Sequence, residues 1–452
     1  MRKLEEFFQF LDKDKISQSE SDLYRHSRDE SFHPWIEPDF VYFPENTEDV
    51  IKVLKLACEY EVPVTPFGAG SGLEGQAIPI NKGVSLNFDR LNKVVEFSPE
   101  DLMITVEPGI TRLQLNEYVN KHGLFFPIDP GADATIGGMV ATNASGTTAV
   151  RYGSMRDQVL DLEVVLANGS VLHTGSKAKK SSSGYHLNGI FTGSEGTLGV
   201  ITKITLKLHG IPEQTVAARC TFETPLECAE AAQAVLMSGI QVMRMEFVDA
   251  ESIHQVNKYG NYTFPEAHSL FFEFAGTTNA VEEEAHVVEE LMRDFGSKHW
   301  ERASNSKERA ELWKARHELA YAYRHMKGKA STGADVCVPI SKLPELVDLG
   351  RTLLEDSGLM GGVFGHVGDG NFHTIVMFDP TDEGEKEKAE FTNSQLALKA
   401  IEVGGTCTGE HGVGLGKMKY QLTEHGDAVQ YMKSIKSLFD PKGIMNPGKM
   451  FY

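Results

Sequence analysis

The chain has 452 residues, too many for one ordinary core, so two or three domains are expected. With 41% hydrophobic and 24% charged residues it can bury a large core, which excludes a disordered polymer. Acidic residues outnumber basic ones by 64 to 44, a formal charge of −20, which argues against nucleic acid or an anionic bilayer as the main partner. That charge would also repel a small anionic substrate unless the site carries its own positive charge, such as a metal ion or a buried arginine. The five cysteines (Cys58, Cys220, Cys228, Cys337, Cys407) are widely spaced and form no CxxC. They are expected to be reduced thiols, with no iron–sulfur cluster. The first residues hold no apolar signal region, and no run approaches a membrane span. The expected location is cytoplasmic, with attachment to a membrane only through a partner.

Residues 1–35 are polar and predict a helical arm. From about Pro38, helices and strands alternate. Asn46 or Thr47 opens an amphipathic helix that runs to Tyr60. A short strand, Pro63-Val-Thr-Pro-Phe67, runs into a glycine-rich turn. Strands follow near Val84 and Met103, then a helix from Thr111 to His122. Residues 159–166 and 171–174, joined by Asn168-Gly169, predict a hairpin. Residues 200–208 alternate as a half-buried strand does. Beyond Glu213, helices are expected near 225–238, 280–295, 307–328, 342–356, 385–403 and 424–438. Strands are expected near 216–222, 242–248, 269–275, 334–338, 361–367 and 373–378. The fold class is α+β: an N-terminal domain over 36–212, then a domain over 213–452 built on an antiparallel sheet covered by helices.

Three glycine-rich segments fall in the first half. Gly68-Ala-Gly-Ser-Gly72 follows a strand and offers unobstructed amides, a nest for phosphate. It lacks the ending of a P-loop, and no long helix follows as in a Rossmann turn. The second runs from Pro130 through Thr135, Gly137, Gly138, Asn143, Ser145 and Gly146, followed by Arg151 and Tyr152. The third is Gly193-Ser-Glu195-Gly196-Thr-Leu-Gly199. A large dinucleotide lying extended across a sheet would account for all three.

The densest chemistry comes late: His366-Val-Gly-Asp-Gly-Asn-Phe-His373, then Gly409-Glu410-His411-Gly412. Three imidazoles and two carboxylates among glycines suit a metal and a proton acceptor meeting a small substrate. Two histidines and one carboxylate leave coordination positions open, as catalytic sites do. An odd spacing on one strand would send His366 and His373 to opposite faces, so a turn at Gly368-Asp369-Gly370 must lie between them. Asp369 is then a turn residue rather than a ligand. A cleft between the two domains is the natural place for these histidines to meet the glycine loops.

The segments Pro66-Phe-Gly-Ala-Gly-Ser-Gly-Leu-Glu-Gly75, Ala134-Thr-Ile-Gly-Gly-Met-Val-Ala-Thr-Asn-Ala-Ser-Gly146 and Gly193-Ser-Glu-Gly-Thr-Leu-Gly-Val-Ile-Thr202 resemble the FAD-binding domain of the vanillyl-alcohol oxidase / p-cresol methylhydroxylase superfamily. The second half resembles one branch of it, the FAD-linked D-2-hydroxyacid dehydrogenases. The matching segments are Trp313-Lys-Ala-Arg316, Asp335-Val-Cys-Val-Pro-Ile-Ser341, both histidine motifs and Phe439-Asp-Pro-Lys-Gly-Ile-Met-Asn-Pro-Gly448. The resemblance implies non-covalent FAD, since residues 66–76 contain neither histidine nor cysteine. It assigns Pro66, Gly68, Ala69, Gly70, Ser71, Gly72, Pro130, Thr135, Gly137, Gly138, Asn143, Ser145, Gly146 and Tyr152 to the cofactor. It adds Glu195, Gly196 and the Val200-Ile201 backbone near the adenine-ribose and isoalloxazine, with Asn446 closing from a final stretch of ~20 residues that returns to the flavin. It makes His366, His373 and Glu410 ligands of a divalent metal, zinc or manganese, and His411 the general base.

The implied chemistry is oxidation of a 2-hydroxy acid, with a hydride passed to flavin N5 and the metal-bound hydroxyl deprotonated by His411. Arg316 is the expected clamp for the substrate carboxylate, because its helical neighbours Leu312, Trp313, Leu319 and Ala320 offer no acid. Lys417 is expected to be a surface residue. Where the hydroxyglutarate branch has a threonine and a lysine, this chain has Ala320 and Gly333. The expected substrate is therefore a small monocarboxylate of the D-lactate or glycolate type, unless Lys327 or Lys329 reaches the site. The alternative is a flavin-binding subunit of a multi-subunit glycolate oxidase, inactive alone. No haem or cluster motif is present, so electrons must leave to a quinone, a cytochrome, an electron-transfer protein, a partner subunit or oxygen. The resemblance is also compatible with a homodimer.

Overall fold

Asn46 accepts a hydrogen bond from the amide of Asp49 and so starts the Thr47–Tyr60 helix, which ends at Glu61 in a left-handed conformation. Its buried face (Val50, Val53, Leu54, Ala57) covers a four-stranded sheet ordered Ile16–Ser17, Phe40–Tyr42, Val84–Asn87, Val64–Phe67. The last three of these strands run parallel. The computed structural model describes residues 2–303 and 305–452. They form two units: one holds the chain as far as Ser145 with residues 153–211 and 410–452, the other holds Gly146–Tyr152 and residues 212–409.

In the first unit the arm expected over residues 1–35 belongs to the core instead. Phe7 and Leu11 are buried, Phe7 stands 5.8 Å from Phe40, and Ile16–Ser17 pairs with Phe40–Tyr42. Burying a phenylalanine contributes about 2–3 kcal/mol, enough to fix a short polar helix that would not hold alone. A second, antiparallel sheet runs in the order Val94–Ser98, Met103–Val106, Val200–Lys207, Val159–Val165, Val171–His173. The expected 159–174 hairpin is its edge, turned at Gly169 with φ 78. Thr111 caps the Arg112–Val119 helix reciprocally with Gln114.

The second unit is one antiparallel sheet ordered Lys298–Arg302, Gln214–Phe222, His268–Gly276, Arg244–Val248, Gly361–Gly365, Asn371–Phe378, Ala330–Thr332, with Asp335–Cys337 also paired to Asn371–Phe378. Helices at Pro225–Met237, Thr278–Asp294, Ser306–Arg324, Leu343–Ser357 and Glu383–Glu402 fall where the sequence predicts them. The helix at Ala250–Gly260 and the edge strand Lys298–Arg302 were not among the predicted elements. Residues 410–452 stand with the first unit, a longer return than the closing stretch expected from sequence. Among the described residues no helix is long and apolar enough to cross a membrane.

Candidate functional site

In the second unit, Gly361–Gly365 and Asn371–Phe378 pair with Phe364 opposite His373, and residues 366–370 turn between them. Gly370 has φ 84, and a Cβ there would lie 2.3 Å from the Val338 carbonyl oxygen, so only glycine fits. The Asn371 amide donates to Asp369 Oδ1 at 3.2 Å, which makes Asp369 a turn residue. The turn brings the buried rings of His366 and His373 to 5.4 Å between centroids, nearly perpendicular at 86°.

A buried carboxylate faces Nδ1 of each imidazole. Glu246 Oε1 lies 2.7 Å from His366 Nδ1, and Asp335 Oδ1 lies 3.3 Å from His373 Nδ1. At His366 this is a hydrogen bond, so Nδ1 carries the proton and Nε2 the lone pair, the usual arrangement around metal-ligating histidines; the contact at His373 is an ion-pair approach without a hydrogen bond. This donor set fits a divalent metal of borderline softness. Asp335 also accepts from Asn371 Nδ2 at 2.8 Å and from Thr408 Oγ1 at 2.9 Å. Gly409 follows so closely that a Cβ would stand 2.0 Å from Asn371 Nδ2. The next residue is Glu410, where the chain enters the first unit.

Arg316 lies on the inner side of the Ser306–Arg324 helix, 5.4 Å from the Phe364 ring centroid. Its Nε and Nη2 donate to Glu246 Oε2 at 2.9 and 2.7 Å. Burial works to raise the carboxyl of Glu246, and the hydrogen-bonding His366 and Arg316 beside it outweigh that, leaving its pKa below the ordinary glutamate value. Sequence reasoning missed Glu246 and the role of Asp335. A signal for Glu246 was present: an acid inside the strand Arg244–Val248, complementing an arginine with no acid three or four residues away on its helix.

The predicted cofactor residues are shared between the units. Gly146 and Tyr152 belong to the second unit, where Arg151 Nη1 donates to the Ala275 carbonyl at 2.6 Å and Val150 packs on Gly368. The others lie in the first. Gly68 abuts Thr135, whose Oγ1 would meet a Cβ at 2.4 Å and which caps the Ile136–Thr142 helix through Gly138 N. Gly70 has φ 73 and Gly72 packs on Gln76, while Ala69 is exposed and Ser71 half-buried. Among the described residues none accepts a hydrogen bond from the amides of residues 68–72, as befits a phosphate nest. Gly137 packs on Pro108, Gly196 packs on Pro66, and Pro130 is half-buried. Asn143 (φ 51) accepts from Ser154 Oγ at 3.1 Å and from Arg156 N at 3.0 Å, so its Oδ1 serves the loop. Val200 and Ile201 pair with Val165 and Val164, their side chains in the core.

Glu410 and His411 are half-buried in the first unit. Ser145 Oγ donates to Glu410 Oε2 at 2.7 Å, and Gln76 Nε2 donates to the His411 carbonyl at 2.6 Å. Glu195 accepts from the amides of Val413 at 2.6 Å and Gly414 at 2.9 Å. Burial pushes its carboxyl up to about 7, with those amides offsetting part of the effect. Asn446 Nδ2 donates to the carbonyls of Gln76 at 3.0 Å and Glu195 at 2.8 Å. Lys449, which sequence reasoning missed, donates to the Ile78 carbonyl at 2.6 Å, and burial pushes it down to about 8. Lys417 is buried rather than a surface residue, 3.5 Å from Glu74 Oε1.

Residues 211–450 match the family model described as FAD linked oxidases, C-terminal domain, and residues 38–175 match FAD binding domain. The chain is 44% identical over 431 residues, covering 94% of its length and 87% of the relative's, to a probable mitochondrial D-lactate dehydrogenase of Danio rerio. It is 34% identical over 419 residues, 92% of this chain and 89% of the relative, to the glycolate oxidase subunit GlcD of Bacillus subtilis. Among solved structures, p-cresol methylhydroxylase with substrate bound superposes with a TM-score of 0.79 at 20% identity, over 99% of this chain and 96% of that one. The α+β fold, with an FAD-binding part of the vanillyl-alcohol oxidase / p-cresol methylhydroxylase type, is thus the one the sequence predicts.

Proposed function

The chain belongs to the FAD-linked oxidase family as an FAD-linked hydroxyacid dehydrogenase, and on that premise we propose that it oxidises a small D-2-hydroxy acid, D-lactate or glycolate in type, to the 2-oxo acid. The observation that carries this reading is the set Glu246, Arg316, His366, His373 and Asp335: two histidines beside buried carboxylates for a cation and a guanidinium for an acid.

FAD, when bound, supplies the hydride acceptor, and a divalent metal, zinc or manganese, supplies Lewis acidity at the α-hydroxyl. His366 and His373 would hold the metal through Nε2. Glu410 is the third ligand of the proposal, as the resemblance of the Gly409–Gly412 motif implies. His411 takes the hydroxyl proton, a task suited to an imidazole near neutrality. Arg316 binds the substrate carboxylate. Glu246 takes its Nε side, and the end-on pair of Nη1 and Nη2 protons remains for a second carboxylate. The 68–72 nest and the 135–138 and 143–146 segments would hold FAD without a covalent bond.

Substrate size follows from two positions. A Cβ at Gly333 would lie 2.1 Å from the Thr374 carbonyl oxygen, so that backbone leaves no room for a side chain. Lys329 is held by Glu385 at 2.9 Å. Neither supports a contact to a second substrate carboxylate, which favours a monocarboxylate. Electrons then pass to a separate acceptor.

The test is flavin absorbance under anaerobic conditions. D-lactate should bleach the flavin and L-lactate should not, and exhaustive chelation should abolish bleaching until Mn2+ or Zn2+ is restored. Bleaching that survives chelation removes the metal from the reading. Bleaching that requires an added partner protein favours the complex-subunit alternative, to which the likeness to a glycolate oxidase subunit gives weight.

A further inference from the structure

One carboxylate stands between the two charged parts of the second unit's site. Glu246 is completely buried, and its two oxygens are divided. Oε1 meets His366 Nδ1 at 2.7 Å, while Oε2 meets Arg316 Nε at 2.9 Å and Nη2 at 2.7 Å. Both partners act as donors, so the acceptor must be doubly competent, which a carboxylate is and an amide is not. Asp335 is placed differently. It stands 3.3 Å from His373 Nδ1 and accepts from Asn371 and Thr408. Glu246 therefore holds a histidine and the arginine at once.

We propose that Glu246 is a positioning residue that couples metal binding to substrate-carboxylate binding, by fixing His366 with Nε2 as its donor and Arg316 with its end-on fork presented to the acid. This inference rests on the reading of His366 as a metal ligand and Arg316 as the carboxylate clamp. Replacement by glutamine keeps the volume and loses one acceptor. The amide oxygen can serve His366 or Arg316, while its NH2 must face the other donor. Where the NH2 faces His366, the ring must protonate Nε2 and lose its metal lone pair. Where it faces Arg316, the guanidinium must turn away. Either choice damages one partner directly, and because the same side chain is then no longer held between the two, the other loses its fixed geometry with it.

The experiment uses the full chain loaded with FAD. Mn2+ affinity is measured by competition with a chelator, and the KM for D-lactate is measured separately at saturating Mn2+. For Glu246→Gln the expected result is a loss of Mn2+ affinity of roughly 10–100-fold, the range for such partners of metal ligands, together with a raised KM at saturating metal. Asp335→Asn should keep a wild-type KM once metal saturates. Flavin content and circular dichroism report folding. If Glu246→Gln does not fold, Glu246→Asp keeps the double acceptor on a shorter arm and should show the same two changes in weaker form. A Glu246 variant that loses metal affinity with an unchanged KM overturns the coupling. So does a raised KM with unchanged affinity, or an Asp335→Asn variant that also raises KM. If wild-type protein binds no Mn2+ or is not reduced by D-lactate, the reading beneath the proposal falls and takes it along. Wild-type behaviour intact with unaltered variants removes the proposal alone.

Discussion

Glu195→Gln should change how stability depends on pH, and the amount can be worked from the site. The Glu195 carboxyl is buried and pushed up from an ordinary 4.5 to about 7. At 1.36 kcal/mol per pH unit, keeping the charge in the folded protein costs roughly 3 kcal/mol. The side chain is only 5% exposed, so solvent screening gives little discount. Between about 4.5 and 7 the folded state holds this proton while the unfolded state has released it. Stability therefore falls by up to about 1.4 kcal/mol per pH unit across that window and is level outside it. Lys449 acts elsewhere: burial pushes it down to about 8, so its stability change lies above pH 8. The measurement is urea denaturation of wild-type protein and Glu195→Gln in saturating FAD from pH 5 to 8, followed by circular dichroism. The difference in unfolding free energy should drift against wild type by up to about 3 kcal/mol as pH rises from 5 to 7, then stay constant. Parallel profiles across that window would refute the reasoning.

His411→Ala should retain FAD and bound Mn2+ while flavin reduction by D-lactate slows by about 10²–10⁴-fold, the usual contribution of a general base; stopped-flow absorbance measures it, and wild-type reduction would assign the proton to another group. Asn446→Ala strips one donor from the buried carbonyls of Gln76 and Glu195. At about 1–3 kcal/mol per buried group left unsatisfied, the urea midpoint of the FAD-loaded protein should drop clearly, and an unchanged midpoint would show that the carbonyls find other donors.

Local signals were legible where the physics is local. Asn46 before an amphipathic run marks its helix, and Gly368-Asp369-Gly370 marks the turn between two strands. Lys298–Arg302 escaped because a charged, mostly exposed edge strand carries no apolar alternation. Ala250–Gly260 escaped because only Ile253 and Val256 are its buried aliphatic residues, too few to show a period. Partners distant in sequence were the other blind spot. That Arg316 sits on an apolar face was readable, whereas the identity of its acid, 70 positions away, was not. Lys417 looked like a surface lysine because nothing near it in sequence points to Glu74. The set of metal and base candidates was legible from its composition, and the carboxylates that orient the histidines became visible only once the strands were paired.

The return of residues 410–452 to the first unit also bears on how the protein is made. During synthesis the FAD-binding sequence emerges early, yet Glu195 would then lack the Val413 and Gly414 amides, and Gln76 would lack Asn446. A nascent chain stopped before residue 410 lacks those partners. The first unit therefore completes these contacts only after the second has been made. Tight retention of FAD should begin only after residue 446 has left the ribosome, so that flavin loading reports a chain translated through both units.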